Sequence, residues 1–84
     1  MPDITVRFYT TLRKAAETDE FACSAATVRE ALECVKKHFG PEFMKRVRRC
    51  QVFVNSDNVI HMHGHRTRLN TGDIVHIFPP AAGG

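Results

Sequence analysis

Ile4, Val6 and Phe8 alternate with Asp3, Thr5, Arg7 and Tyr9. A period of two puts the apolar set on one side, as in a half-buried strand. Glu20–Ser24 predicts a second strand, in a hairpin with the first. The polar stretch Thr10–Glu17 between them predicts a turn or a single helical turn. Thr27 then offers an N-cap, with Glu30 at the capping-box spacing. Val28, Ala31, Leu32, Val35 and Phe39 follow at the spacing of one helix face. Gly40 predicts a left-handed cap and Pro41 a stop. Phe43, Met44 and Val47 mark the apolar side of a shorter helix. Gln51–Asn55 predicts a third strand, Ser56-Asp57-Asn58 a turn and Val59–Met62 a weaker fourth strand. After the turn Asn70–Asp73, Ile74–Phe78 is the last strand. Leu69, alone in a polar stretch, is expected to plug the core.

Helices fall as one block between a hairpin and the remaining strands. That order predicts an α+β domain, a mixed sheet of four or five strands packed on one main helix plus a short second one. The first and last strands are the most apolar and are expected to be the central pair, running parallel. If Val75 and Ile77 face the helix, then Ile74, His76 and Phe78 face away. Tyr9 points away beside core-facing Phe8, and Met62 does so on the fourth strand. Tyr9, Met62 and Phe78 are therefore expected to form an exposed apolar docking patch; the alternative is scattered surface apolar residues.

Composition narrows this picture. The chain has 84 residues, one domain near the lower size limit for a self-sufficient core. A hydrophobic content of 43% with six Phe argues for a folded core. No apolar run reaches the length of a membrane span, and no basic-then-apolar leader opens the chain, so a cytoplasmic location is expected. Cys23, Cys34 and Cys50, an odd number without metal-site spacing, are expected to be reduced and mostly buried. Cys34 lies beside the apolar stripe near Lys37 and His38; the choice there is a persulfide carrier or a residue flanking the core, and the core reading is favoured.

Net charge is +3, with the excess in Lys36-Lys37 and in Lys45-Arg46-Val47-Arg48-Arg49. Such a cluster suits nucleic acid or an acidic protein surface, or is a solvated helix face. No aromatic residue interleaves it, so stacking on single-stranded nucleic acid has no platform, and nucleic acid is not expected as a partner. His61, His63 and His65 alternate and would share one side of a strand. A metal site is one reading and a polar edge strand the other. Gly64 and the lack of a nearby Cys or carboxylate favour the edge strand, and no metal is assigned.

The last strand runs into Pro79-Pro80-Ala81-Ala82-Gly83-Gly84. Alone, such an end is either frayed and idle or a bare carboxylate on a thin tail able to enter a narrow channel. The six residues span about 20 Å when extended. Pro79-Pro80 favours an extended polyproline conformation that projects the end outward.

Taken with Val6-Arg7-Phe8-Tyr9, Leu12-Arg13, Thr27 to Leu32, Val52-Phe53-Val54-Asn55 and Gly72-Asp73-Ile74-Val75, the ending Phe78 to Gly84 resembles the MoaD/ThiS family of ubiquitin-like sulfur carriers. The branch it is most similar to is the small subunit of molybdopterin synthase. The resemblance covers nearly the whole chain. It departs at Glu17, where the family usually has glycine, and in the histidine-rich stretch His61 to Arg66. It implies a ubiquitin-like β-grasp domain over residues 1–78 and an extended reactive tail over residues 79–84.

The resemblance further implies that Gly84 is adenylated and becomes a thiocarboxylate that donates sulfur to a pterin precursor of molybdopterin. Tyr9, Met62 and Phe78 would dock partners, and Pro79, Pro80, Ala81, Ala82 and Gly83 would enter the partner's channel. The implied partners are a ubiquitin-activating-like adenylyltransferase that uses ATP, a molybdopterin synthase large subunit, and a desulfurase or rhodanese as sulfur donor. The chain itself would be a co-substrate subunit with no bound cofactor, and not a catalyst alone. Alternatives within the resemblance are sulfur delivery to thiamine or to sulfur amino-acid synthesis, and conjugation of Gly84 to lysines as a protein modifier.

Overall fold

The alternation at the N-terminus produces β1 (Asp3–Phe8), with Ile4, Val6 and Phe8 buried. The structure, a computed structural model, describes residues 1–80. Along the chain follow α1 (Thr10–Ala16), β2 (Glu20–Ser24), α2 (Val28–Phe39), α3 (Pro41–Val47), β3 (Gln51–Val54), β4 (Asp57–Asn58) and β5 (Ile74–Phe78). Two short 3-10 turns, Val59–His61 and Gly64–Arg66, lie between β4 and β5.

The sheet order is β2-β1-β5-β3-β4. The first and last strands are the parallel central pair, with Val6 beside Val75 and Phe8 beside Ile77. On the other side of β5, antiparallel β3 sets Val54 beside Val75 and Val52 beside Ile77. These six side chains form one apolar face, and α2 lies across it with Val28, Ala31, Leu32 and Val35 buried. Phe8 is at the centre, edge-to-face with Phe39 and Phe43 at 5.3 Å each. Such ring pairs add about 0.5–1.5 kcal/mol beyond the area they bury.

The start of α2 is fixed as its sequence predicts. Thr27 Oγ1 accepts from the Glu30 N–H at 3.2 Å. Glu30 Oε1 accepts from the Ala26 N–H at 2.9 Å, one residue before the cap, so the box is shifted by one position. The following polar stretch is tied to the same end: the Val28 N–H donates to the Thr67 carbonyl and the Leu69 N–H to the Ala26 carbonyl. Leu69 is buried in the core, as expected.

Four local expectations are corrected. Thr10–Ala16 is a seven-residue helix of about two turns, longer than the turn or single helical turn expected, because Leu12 is buried and anchors it. Gly40 has φ 98° and ψ 166°, not the left-handed helical conformation. That region is open essentially to glycine only, and it lets Pro41 begin α3 at once. The fourth strand is Asp57–Asn58, inside the predicted turn, and Val59–Met62 is not a strand. There Asn58 Oδ1 accepts from the Ile60 N–H at 3.0 Å and closes a 3-10 turn instead. His61, His63 and His65 consequently lie in and between the two turns, not along an edge strand. The three cysteines are free and all half-buried, where mostly buried ones were expected.

Glu17, at the position where the resemblance leads one to expect glycine, closes α1 with φ 60° and ψ 24°. A side chain costs about 1 kcal/mol in that left-handed conformation. Glu17 is exposed and its backbone N–H caps the Lys14 carbonyl. Glu17→Gly is expected to raise the unfolding free energy by about 0.5–1 kcal/mol in urea titrations, with an unchanged m-value.

Candidate functional site

The register of the sheet sets one row of side chains across its outer face. Glu20 of β2 is beside Arg7 of β1, Arg7 beside His76 of β5, His76 beside Phe53 of β3, and Phe53 beside Asn58 of β4. Tyr9 and Phe78 stand at the end of this row where β1 and β5 finish. Their rings stack at 4.3 Å with an interplanar angle of 13°. Tyr9 Oη lies 2.6 Å from His76 Nδ1. Phe53 meets Phe78 edge-on at 5.4 Å. All four rings are half-buried, so a continuous aromatic surface faces solvent beside the point where the chain leaves the sheet.

Tyr9 and Phe78 are thus brought together as predicted. Met62 is not on a strand; it follows the first 3-10 turn, is 40% exposed, and shares a shallow hollow with Phe53, Asp57 and Asn58. It extends the aromatic surface through Phe53 and not through the Tyr9–Phe78 stack. Phe53 and His76 belong to the surface although the sequence analysis did not place them in the patch. The signal was present for Phe53: it alternates with core-facing Val52 and Val54 and must point outward. Pro79 is half-buried and Pro80 exposed, and both border a groove with Thr11, Lys45, Arg46 and Arg49. Ala81, Ala82, Gly83 and Gly84 lie outside the described residues.

Electrostatics sharpen the surface. Partial burial, helped by the Arg7 guanidinium, lowers the pKa of His76 below the usual histidine value. The ring is therefore neutral at physiological pH, and one hydrogen is shared between Tyr9 Oη and Nδ1. Arg7 pairs with Glu20 at 2.9 Å, an exposed contact worth little to stability. Its Nε is buried without a partner among the described residues. On the helical side, burial and then the neighbouring Cys34 push the Cys23 thiol up to about 12, and burial raises Cys50. Both stay protonated and are poor nucleophiles. No group of three His, Cys, Asp or Glu side chains converges as a metal site among the described residues. No described helix is long and apolar enough to cross a membrane.

The parallel β1–β5 pair flanked by β2 and β3, with α2 across one face, defines a ubiquitin-like β-grasp protein. The ThiS family model matches residues 6–84, and the chain belongs to the ThiS family. Three solved structures illustrate the likeness. A chain of the BexX/CysO complex of Amycolatopsis orientalis has a TM-score of 0.82 at 27% identity, over 96% of this chain and 99% of that one. The putative molybdopterin converting factor subunit 1 of Pyrococcus furiosus has 0.79 at 25% identity, over 96% and 100%. Small archaeal modifier protein 1 of Methanosarcina acetivorans has 0.90 at 24% identity, over 100% and 98%, a likeness of fold. No curated protein matches the sequence. The fold is that of ubiquitin-like sulfur carriers and modifiers.

The lowered pKa of His76 has a consequence for stability. The folded form binds its proton less readily than the unfolded chain, so stability is lost as pH falls below the unfolded value of about 6.5. His76→Gln, which keeps a polar partner for Tyr9, is expected to lose less stability than the parent between pH 7.5 and pH 5. Urea midpoints of both proteins at the two pH values check this; equal losses would remove His76 from the account.

Proposed function

We propose that this chain carries sulfur on the carboxylate of Gly84 and delivers it to a pterin precursor of molybdopterin. The observation behind this reading is the family match over residues 6–84, which includes Gly84. The aromatic surface ends at Phe78, immediately before the tail. The similarity to the Pyrococcus furiosus molybdopterin converting factor subunit 1 supports the choice of acceptor.

The chemistry follows from the carboxylate. Ionised at neutral pH, it is a poor electrophile. A ubiquitin-activating-like adenylyltransferase would join it to the α-phosphate of ATP, with pyrophosphate leaving. The outer sulfur of a desulfurase or rhodanese persulfide would then displace AMP to give an acyl disulfide. A second thiol would reduce it, leaving the thiocarboxylate and a disulfide between the two thiols. The thiocarboxylate sulfur is a strong nucleophile, used inside a partner resembling the large subunit of molybdopterin synthase. The tail would extend from the body, with Ala81, Ala82, Gly83 and Gly84 small enough to thread a narrow channel. Pro79-Pro80 would lower the entropy cost of insertion. The body would bind through Tyr9, Phe53, Phe78 and Met62, whose rings give large contact area at low side-chain entropy cost. On this reading the chain is a co-substrate, and the partners supply the catalytic groups and the nucleotide site.

Intact-mass spectrometry tests the central step. After incubation with such an adenylyltransferase, ATP and a sulfur donor, the chain is expected to show one oxygen replaced by sulfur at Gly84. Lysine conjugates without the sulfur adduct would instead favour a protein modifier. A residue added after Gly84 is expected to abolish the product while leaving the circular dichroism spectrum unchanged. Phe78→Ala is expected to slow formation about tenfold, the loss of one aromatic anchor worth about 1.4 kcal/mol.

A further inference from the structure

The helical side of the molecule carries a second surface that the sulfur-carrier reading does not use. Between α2, α3 and β3 is a groove of about 340 Å³. Leu32, Met44, Val47 and Val52 form its floor. Arg29 and Lys36 of α2 and Arg48 after α3 stand on its rim, all exposed, against one carboxylate, Glu33. Among the described residues none of these three cations forms an ion pair. The basic surface continues at both ends. Arg29 and His65 are shared with a neighbouring depression that includes Arg66 and Arg68. Cys50 is shared with the groove at the root of the tail, lined by Lys45, Arg46 and Arg49.

We propose that this groove is a docking site for an acidic, leucine-like segment of a partner protein. Two features of the groove select that occupant. Three unpaired cations around a concave site favour carboxylates, which arginine holds through paired N–H donors. The floor is apolar, so at least one apolar side chain must accompany the charges to gain from burial. The volume is at the small end for ligand pockets and suits one or two side chains of a peptide. Nucleic acid would use the cations and leave the floor unfilled. No Phe, Tyr or Trp lines the groove to stack a base. The groove lies on the helix-covered side of the sheet, opposite Tyr9 and Phe78, so both surfaces can be occupied together. The proposal goes beyond the sulfur-carrier reading and stands or falls without it.

The experiment is an NMR titration of the isotope-labelled full chain. Its probes are the peptide acetyl-Glu-Asp-Leu-Glu-Asp-Leu-amide, the same peptide with Ser for Leu, and a uridine hexanucleotide. The Leu peptide is expected to shift the amides of Arg29, Lys36, Val47 and Arg48, and to bind several-fold tighter than the Ser peptide. The double variant Lys36→Glu/Arg48→Glu alters two exposed positions and is expected to weaken binding about tenfold or more. Arg48→Lys, which keeps the charge but loses the paired donors, is expected to weaken it less than the double variant does, and Phe78→Ala to retain all of it. The proposal is overturned if the Leu peptide leaves these amides unmoved or shifts the Tyr9–Phe78 face instead. It is equally overturned if the Ser peptide binds as well, or if the oligonucleotide binds more tightly than the Leu peptide.

Discussion

Everything in this molecule depends on the parallel pairing of β1 with β5. The two strands come from opposite ends of the described chain, and their register puts Val6 against Val75 and Phe8 against Ile77 in the middle of the core. A parallel pair needs a crossover, and all the helices lie within the one that joins these strands. The pairing closes a loop of nearly the whole domain before its contacts repay the entropy. Once made, it fixes both faces. Inward, it sets the platform on which α2 packs. Outward, it places Arg7 beside His76 and brings Tyr9 to Phe78 where the strands end.

The two faces then differ in kind because the strand period is two. The inner face is apolar and sealed, with Phe8 among aliphatic neighbours. The outer face gathers Tyr9, Phe53, His76 and Phe78 around one short hydrogen bond, with a single ion pair toward β2. A neutral His76 suits such a surface, since a protonated ring beside Arg7 would add like charge to it. Most of the positive charge is instead on the helical side, where Arg29, Lys36, Arg48 and their neighbours are exposed to water. The net charge of +3 understates this separation.

Much of this was legible in the chain. The alternation of Ile4, Val6, Phe8 and of Val75, Ile77 announced two strands, and their apolar character announced a central pair. Thr27 with Glu30 and the pair Gly40-Pro41 marked helix ends that the structure retains. What was not legible had short-range causes. In α1 Leu12 is the one buried residue, so there was no apolar period to detect. The two-residue β4 is too short for alternation to show. The alternating histidines looked like a strand because spacing alone cannot show a turn. Asn58 Oδ1 on the Ile60 N–H and Thr67 Oγ1 on the His63 N–H bend that segment. The patch was half legible. Tyr9 follows the first strand and Phe78 ends the last, and alternation with Val52 and Val54 turns Phe53 outward. Only the register shows that Phe53 lies beside His76.

Thr10 shows how tightly the outer surface is held. It has φ 49°, a conformation that a β-branched residue adopts only when its surroundings impose it. On one side of it the Tyr9 ring is fixed by Phe78 and His76. On the other side α1 begins at once and is pinned by Leu12. The turn between strand and helix has no spare residue, so the strain falls on Thr10. Such strain costs on the order of 1–3 kcal/mol and persists because packing on both sides exceeds it. The stack would relax if either anchor were lost. A surface ordered at this cost keeps little side-chain freedom. The fixed aromatic face therefore stands directly beside Pro79, where the chain leaves the sheet.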